Sequence, residues 1–254
     1  IHETSNPIFK DVDITIILIM ENSDRFKPDP FLLNLSKETI IQYNKGFKKC
    51  YKPSSIKKSN TDLIHAYYTA FEYTKNYNNV LILEEDAEIL YYNKKHYTVV
   101  NNFIKNNNFK IFSFASNGTF EKINNDFYKV YDSHSTHAQI YSKDHRTFMM
   151  NRILKNKFMG EIDTTYIRDR DVIVYKHPLI VQIYPETENF NNWSGNKFIN
   201  KLGCVITGVN KYKQGWENIY IICKIRGVLN AEYILVMTLI TLIVIYKMVK
   251  FYKN

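Results

Sequence analysis

An apolar run that ends in three adjacent carboxylates constrains this chain more than any other feature. Residues 80–83 are all apolar, and Glu84, Glu85 and Asp86 follow them directly. A continuous apolar run of this kind, bounded by polar residues, is typical of a strand buried on both faces of a sheet. Because side chains alternate along a strand, we expect Glu84 and Asp86 on one side of the backbone and Glu85 on the other.

The place of these carboxylates in the predicted fold indicates a binding site. Open α/β sheets bind their ligands outside the carboxyl ends of the strands, which is where residues 84–86 are expected. Three adjacent carboxylates repel one another, and a bound hard cation would remove that repulsion. The sequence therefore predicts a divalent-metal site at the end of this strand.

Alternating strands and helices predict an α/β domain with a mixed, mainly parallel sheet flanked by helices. The alternation continues to about residue 185, and the 254-residue chain is long enough for one sizeable core with an appendage. Helices are predicted at residues 60–75, 94–106 and 143–155, with another that begins at residues 28–30 and includes Phe31, Leu35, Ile40 and Ile41; strands are predicted at residues 14–20, 47–51, 80–84, 110–115, 127–131, 137–142, 171–175 and 179–183.

The C-terminal part of the chain differs in composition from the rest. Residues 233–246 carry no charge, and residues 228–249 reach the ~20 residues that a spanning helix needs. We expect the α/β domain at 1–200, a basic juxtamembrane segment at 201–229 and a single C-terminal membrane anchor at 230–254. The alternative is a buried hydrophobic helix of the preceding domain.

The charge of the chain favours a membrane surface over nucleic acid as a partner. The net charge is +9, and residues 201–254 contain eight basic and two acidic residues, so the excess flanks the hydrophobic segment. No zinc-finger spacing or basic-aromatic RNA-binding motif occurs in the sequence. We therefore expect a single-pass membrane protein that binds no nucleic acid, with the side of the membrane left open.

The order of several motifs resembles glycosyltransferase family 25, which includes lipooligosaccharide and collagen galactosyltransferases and relatives in large DNA viruses. Its members have an apolar strand that ends in Glu-Asp-Asp, where this chain has Glu-Glu-Asp. The resemblance covers residues 12–195, and the motifs that carry it are Ser23-Asp24-Arg25, Glu84-Glu85-Asp86-Ala87, Thr136-His137-Ala138, Glu161-Ile162-Asp163 and Pro178-Leu179-Ile180-Val181-Gln182.

The resemblance implies a GT-A fold for the domain at 1–200 and a sugar-transfer reaction. It implies a nucleotide-sugar donor such as a UDP-sugar in the N-terminal half and a glycan or protein acceptor in the C-terminal half. It also implies a divalent metal, Mn²⁺ or Mg²⁺, that bridges the donor diphosphate and the acidic triplet. The expected function is then that of a hexosyltransferase that moves galactose or glucose with inversion at the anomeric carbon.

Specific roles follow for the residues on the donor side. Asp86 is the expected metal ligand because it is short and ends the strand, and Glu84 is expected to bind the metal or the ribose. Glu85 is expected to act through water. The loop Ser23-Asp24-Arg25 is expected to contact the nucleotide, since arginine suits phosphate oxygens; a solvated turn is the alternative.

On the acceptor side, the reaction needs a base to take the proton of the acceptor hydroxyl. Asp163 is the candidate and Glu161 is the next one, while the alternative for Asp163 is a helix cap before Thr164. Gln182 and Trp193 are candidates for the acceptor pocket.

Two other function classes stay open at this point. The Glu-for-Asp change at Glu85 motivates an inactive GT-A-like protein that binds sugar or serves as a structural membrane protein. A metal-dependent nuclease also uses clustered carboxylates, but it would need further acidic residues around its metals. His137 is expected to be packed and hydrogen-bonded rather than a ligand, as a single histidine in a strand usually is.

Overall fold

The computed structural model describes residues 1–21, 23, 30–46, 52–89, 93–116, 119–131, 133, 136–167 and 171–182. The elements within these residues are β1 (His2–Glu3), β2 (Ile14–Met20), α1 (Pro30–Leu33), β3 (Glu38–Asn44), α2 (Ser59–Tyr73), β4 (Asn79–Glu84), β5 (Ala87–Ile89), α3 (Lys94–Asn106), β6 (Ile111–Ser113), β7 (Thr119–Lys122), β8 (Phe127–Tyr131), β9 (Ala138–Ser142), α4 (Lys143–Lys155), a π-helix (Ile162–Ile167), β10 (Val172–Tyr175) and β11 (Ile180–Gln182).

A nine-stranded sheet forms the centre of the fold, in the order β1-β3-β2-β4-β9-β6-β10-β8-β7. Strands β2, β3 and β4 are parallel neighbours, and β10 is parallel to β6. Strand β9 lies between β4 and β6 and is antiparallel to both, so β4 and β6 point the same way. Most of the central strands therefore share one direction, and the predicted α/β class with a mixed, mainly parallel sheet is confirmed.

The central strands are buried on both faces because their apolar runs serve two cores. Along β4, Val80 and Ile82 pack into one core, whereas Leu81 and Leu83 pack into the other. All four side chains are at most 1% exposed, and full burial of each contributes about 1.5–3 kcal/mol. Helices α2 and α4 and the π-helix contribute to the first core, and α3 contributes to the second. This two-sided burial fixes where β4 ends and where the acidic triplet begins.

A buried arginine ties the first-core helices to the sheet. The Arg146 guanidinium donates hydrogen bonds to the carbonyls of Thr74, Tyr77, Asn78 and Tyr141 at 2.6–3.1 Å. Burial lowers its pKa to about 10, so it stays charged at neutral pH. No sequence pattern indicates this role, because the helical spacing of α4 is equally compatible with an exposed arginine. Arg146 thereby satisfies carbonyls at the C-terminal end of α2, where helices leave acceptors unpaired.

Several predicted elements are confirmed, and one is wrong. Helices α3 and α4 have the predicted bounds. The helix predicted to include Ile40 and Ile41 ends at Leu33, and Glu38–Asn44 instead forms a strand parallel to β2. Adjacent β-branched residues favour the pleated conformation, and pairing along the whole of β2 outweighs the helical spacing. The strand predicted at residues 47–51 lies outside the described residues.

The predicted membrane anchor also lies outside the residues that the structure describes, as do the whole of 201–229 and the strand-end residue Ile183. Among the helices of the described ranges, none combines the length and the apolar character that crossing a bilayer requires.

Candidate functional site

The acidic triplet lies at the carboxyl edge of the central sheet. Strand β4 ends at Glu84, a turn contains Glu85 and Asp86, and β5 starts at Ala87. The Glu84 N–H donates to the carbonyl of His137 at 2.8 Å, which joins the end of β4 to the segment that enters β9. The triplet is thus held between two neighbouring strands in the middle of the sheet, where open α/β folds bind ligands.

Two hydroxyl groups hold the Glu84 carboxylate. The Tyr67 hydroxyl donates to Glu84 Oε1 at 2.8 Å, and Thr136 Oγ1 donates to the same oxygen at 2.6 Å. Tyr67 is fully buried and Thr136 is 8% exposed. Tyr67 comes from α2 and Thr136 precedes β9, so two separate parts of the fold fix the orientation of Glu84.

The surroundings of Glu84 oppose its negative charge. Burial raises its pKa to about 7, and repulsion from Asp86 and Asp163 adds to the effect, while the bonds from Thr136 and Tyr67 act in the opposite direction. Near neutral pH the carboxyl group is therefore divided between its two protonation states. A cation bound beside it would favour the charged form.

Glu85 and Asp86 have different surroundings. Glu85 Oε2 accepts a hydrogen bond from the Met20 N–H at 3.0 Å, which connects the turn after β4 to the last residue of β2. Asp86 is 5% exposed, and its charge is close enough to raise the pKa of Glu84. Glu84 and Asp86 therefore share one electrostatic environment, whereas Glu85 links two strand ends.

The π-helix brings Asp163 to this group of carboxylates and leaves Glu161 at the surface. The charge of Asp163 raises the pKa of Glu84, and Asp163 Oδ1 accepts from the Thr164 N–H at 2.7 Å. Glu161 is exposed, and its Oε2 accepts from Thr164 Oγ1 at 3.2 Å. The predicted base thus lies near the triplet. The π-helix begins at Ile162, so Asp163 lies inside it, and its bond to the next N–H is not that of a cap before Thr164.

The turn before the π-helix depends on one glycine. Gly160 has φ +105°, a conformation that residues with a Cβ rarely adopt. A Cβ at this position would overlap with the side chain of Thr165, whose Oγ1 accepts from the Glu161 N–H at 3.0 Å. Lys157 and Phe158 also have positive φ angles, 50° and 62°. This compact turn determines where Asp163 lies relative to the triplet. Short π-helical segments are frequent at functional sites.

A buried ion pair lies at the end of β3 and the start of α2. Lys52 Nζ pairs with Asp62 Oδ1, and their side chains are 7% and 4% exposed. Asn44 bonds to both, donating to Asp62 Oδ2 and accepting from Lys52 Nζ at 2.8 Å each. In the sequence Asp62 is an N-cap candidate of this helix, but α2 starts at Ser59 with Lys58 as its N-cap, so Asp62 lies in the first turn, and its pairing with Lys52 was not predicted. The pair fixes the N-terminal end of the helix that carries Tyr67.

His137 has the packed role expected of it. The side chain is 1% exposed, burial lowers its pKa to about 4, and Nε2 donates to the Ile180 carbonyl at 3.2 Å. The neutral ring therefore connects the start of β9 with β11. Gln182 pairs through its backbone with Ala87, directly after the triplet.

The predicted nucleotide loop is described only at Ser23, whose N–H donates to the Met20 carbonyl at 2.9 Å in the turn after β2. This turn lies beside the Glu85 contact to Met20. Asp24, Arg25 and Trp193 lie outside the described residues.

The side chains at the triplet suit a hard cation only in part. Over the described part of the chain, no group of three or more His, Cys, Asp or Glu side chains is close enough to hold a metal ion. Glu84 and Asp86 offer carboxylate oxygens, the ligand type that Mg²⁺ and Mn²⁺ prefer. Mg²⁺ is often bound by one or two carboxylates together with substrate phosphates and water. The donor set therefore fits a cation that arrives with a phosphate-bearing ligand.

Comparison with known proteins leaves the family of this chain open. No protein-family model and no curated protein matches it. Solved structures that match include A197 from STIV, at TM-score 0.39 and 12% identity, covering 64% of this chain and 81% of that one. A mannose-1-phosphate geranyltransferase from Thermus thermophilus matches at TM-score 0.38 and 8% identity, covering 65% and 73%. An apo UDP-glucose pyrophosphorylase matches at TM-score 0.35 and 12% identity, covering 64% and 72%.

Two of these neighbours thus have names of enzymes that act on a sugar phosphate or a sugar nucleotide. Because the TM-scores of all three matches are below 0.5, these structures do not identify the reaction of this chain, which has to be inferred from its own residues.

Proposed function

We propose that this chain is a metal-dependent glycosyltransferase with a GT-A-like fold, related to family 25. It would transfer a hexose, galactose or glucose, from a UDP-sugar to a hydroxyl group of a glycan or protein. The observation that carries the proposal is the placement of Glu84, Asp86 and Asp163 in one electrostatic environment at the carboxyl edge of the central sheet.

Glu84 and Asp86 would hold Mn²⁺ or Mg²⁺ in this proposal. When bound, the ion supplies positive charge that stabilises the diphosphate leaving group. The protein residues orient it: Tyr67 and Thr136 fix Glu84, and the Glu85 bond to Met20 fixes the turn that contains Asp86. Ser23, Asp24 and Arg25 would contact the nucleotide beside that turn.

Asp163 would act as the general base. The acceptor oxygen forms a bond to the anomeric carbon while the bond from that carbon to the diphosphate oxygen breaks, and Asp163 takes the acceptor proton. Attack from the side opposite the diphosphate gives inversion. Gln182 and Trp193 are proposed for the acceptor pocket, and residues 230–254 for a membrane anchor.

The test is transfer from UDP-galactose and UDP-glucose with Mn²⁺, together with binding of UDP and Mn²⁺ measured by thermal shift. A ligand that binds only the folded state raises its stability. We expect Asp86→Asn to lower transfer by about 100-fold or more, since loss of metal stabilisation affects the barrier by several kcal/mol. Asp144→Asn, at an exposed position in α4, is the matched control and should keep activity. Full activity in Asp86→Asn would refute the metal site.

A second candidate is a GT-A-like protein that binds sugar nucleotides without transferring the sugar. The engagement of Glu85 with the backbone of Met20 favours it, because one carboxylate of the triplet then serves the fold. Binding of UDP and Mn²⁺ with neither transfer nor hydrolysis, across a panel of acceptors, would decide for this candidate.

A further inference from the structure

The Glu84 carboxylate is held asymmetrically. Both hydroxyl donors reach the same oxygen, Oε1, from Tyr67 at 2.8 Å and from Thr136 at 2.6 Å. The Tyr67 hydroxyl also lies 3.1 Å from the Thr136 carbonyl, but its single proton has the shorter distance to Glu84.

The hydroxyls of Tyr67 and Thr136 together occupy both lone pairs of Glu84 Oε1. A carboxylate oxygen has two lone pairs, and each accepts one hydrogen bond. With both directions at Oε1 taken, Oε2 is the oxygen through which Glu84 can bind a cation. The Tyr67 oxygen cannot easily move away from Oε1, because its ring is fully buried beside the aromatic rings of Phe71 and Tyr141 at centroid distances of 5.8 and 6.3 Å.

We propose that Tyr67 and Thr136 are positioning residues that restrict Glu84 to one-oxygen coordination, and that this restriction makes the site select Mn²⁺ and Mg²⁺ over Ca²⁺. The inference rests on the proposed metal site. Mg²⁺ requires six oxygens in near-octahedral geometry, with close contacts that suit single carboxylate oxygens. Ca²⁺ takes six to eight oxygens at longer distances and frequently uses both oxygens of a carboxylate.

The selectivity follows from the hydrogen bonds of Glu84 that the binding of each ion would break. Coordination of Ca²⁺ by both oxygens would require Oε1 to give up its bonds to two buried hydroxyls. Tyr67 could then donate only over the longer 3.1 Å distance to the Thr136 carbonyl, and weakening the bonds of buried donors is costly. A one-oxygen contact to Mn²⁺ or Mg²⁺ leaves both hydrogen bonds intact. Removal of the hydroxyls should therefore help Ca²⁺ more than it helps Mn²⁺.

The experiment measures Mn²⁺ bound to the full chain by electron paramagnetic resonance, and its displacement by Ca²⁺ or Mg²⁺, in the presence of UDP, which supplies the phosphate oxygens that the two carboxylates lack. The variants are Tyr67→Phe, Thr136→Val and the double variant. Thr74→Val is the matched control, because it removes another buried threonine hydroxyl, one that donates to the Ala70 carbonyl at 2.7 Å rather than to Glu84. The thermal midpoint of each variant shows that it is folded.

We expect the ratio of the Ca²⁺ and Mn²⁺ dissociation constants to fall by about tenfold in the double variant, the lower end of what groups that orient metal ligands typically contribute. Thr74→Val should keep the wild-type ratio. An unchanged ratio in a folded double variant that binds Mn²⁺ refutes this inference and leaves the proposed function intact. If the folded wild type binds none of the three ions, and also none in the presence of UDP, the proposed metal-dependent function itself is refuted.

Discussion

Glu85 Oε2 accepts a hydrogen bond from the backbone N–H of Met20 at 3.0 Å, and this bond joins the ends of the two central parallel strands β4 and β2. The long glutamate side chain is what reaches this backbone group on the neighbouring strand, and an aspartate at the same position would be one methylene shorter.

We predict that Glu85→Asp lowers the free energy of unfolding by about 1–2 kcal/mol. The shorter side chain would not reach Met20, and hydrogen bonds to charged groups contribute about 1.5–3 kcal/mol. Glu85→Gln keeps an acceptor oxygen at the same reach and should lose less. Urea unfolding of the two variants checks this order; equal losses would show that charge rather than length matters.

The raised pKa of Glu84 predicts a specific pH dependence of stability. Its folded-state pKa is about 7, against an ordinary value of 4.5. Between these values the folded state holds a proton that the unfolded state has released, so the free energy of unfolding falls as pH rises from about 4.5 to 7. The contribution of this group is fully present below pH 4.5 and is lost above pH 7.

Glu84→Gln removes this titration, so the difference in unfolding free energy between the wild type and the variant should change by about 1–3 kcal/mol over that range. Glu72→Gln, at an exposed position of α2, is the control. Urea unfolding at several pH values without metal measures the difference, and a constant difference would contradict the shift. Because a proton competes with a cation for the same carboxylate, added Mn²⁺ should stabilise the protein more at pH 8 than at pH 6.

The sequence predicted where the site lies in the fold better than it predicted which side chains contact one another there. The apolar run before Glu84 was sufficient to place the triplet, because a strand buried on both faces has to end where its polar residues begin. Residues 63, 66, 67, 70, 71 and 74 recur at helical spacing along α2, and this spacing predicts that Tyr67 lies on the face packed against the sheet. It could not show that its hydroxyl meets Glu84, since that contact depends on how α2 lies across β4 and on Thr136 from another part of the chain.

The position of Asp163 shows the same limit. Its proximity to the triplet was expected only from the family resemblance, and no local pattern indicates a π-helix or the left-handed backbone of the turn before it. Residues 40 and 41 illustrate the opposite case, in which local spacing suggested a helix and pairing with β2 produced a strand.

The glycine turn before the π-helix provides a prediction about Asp163. Gly160→Ala should lower the free energy of unfolding by about 1–3 kcal/mol, because alanine is strained at this φ and its Cβ would displace Thr165. Since Thr165 lies two residues after Asp163, transfer activity should fall as well.

Gly46→Ala is the matched control, because its φ of +75° is also left-handed, whereas its Cβ would lie 3.4 Å from the flexible end of Met20. Urea unfolding and initial transfer rates check both variants. A smaller effect at Gly160 than at Gly46 would show that the turn tolerates the overlap and does not set the position of Asp163.

The assignment of the base can be decided by comparing Asp163 with Glu161. We predict that Asp163→Asn lowers the transfer rate by about 100-fold or more, in the range that a positioned general base contributes, while UDP binding is retained. Asparagine keeps an oxygen that can accept from the Thr164 N–H, so the π-helix should persist. Glu161→Gln should keep near wild-type activity, because Glu161 is exposed and bonded to Thr164 Oγ1.

The pH dependence of Mn²⁺ binding separates the role of Asp163 as a base from the effect of its charge on Glu84. The charge of Asp163 contributes to the raised pKa of Glu84, so Asp163→Asn should shift the pH midpoint of Mn²⁺ binding downward, whereas Glu161→Gln should leave it in place. Loss of UDP binding in Asp163→Asn would place this residue on the donor side. Loss of transfer in Glu161→Gln, with activity retained in Asp163→Asn, would assign the base to Glu161.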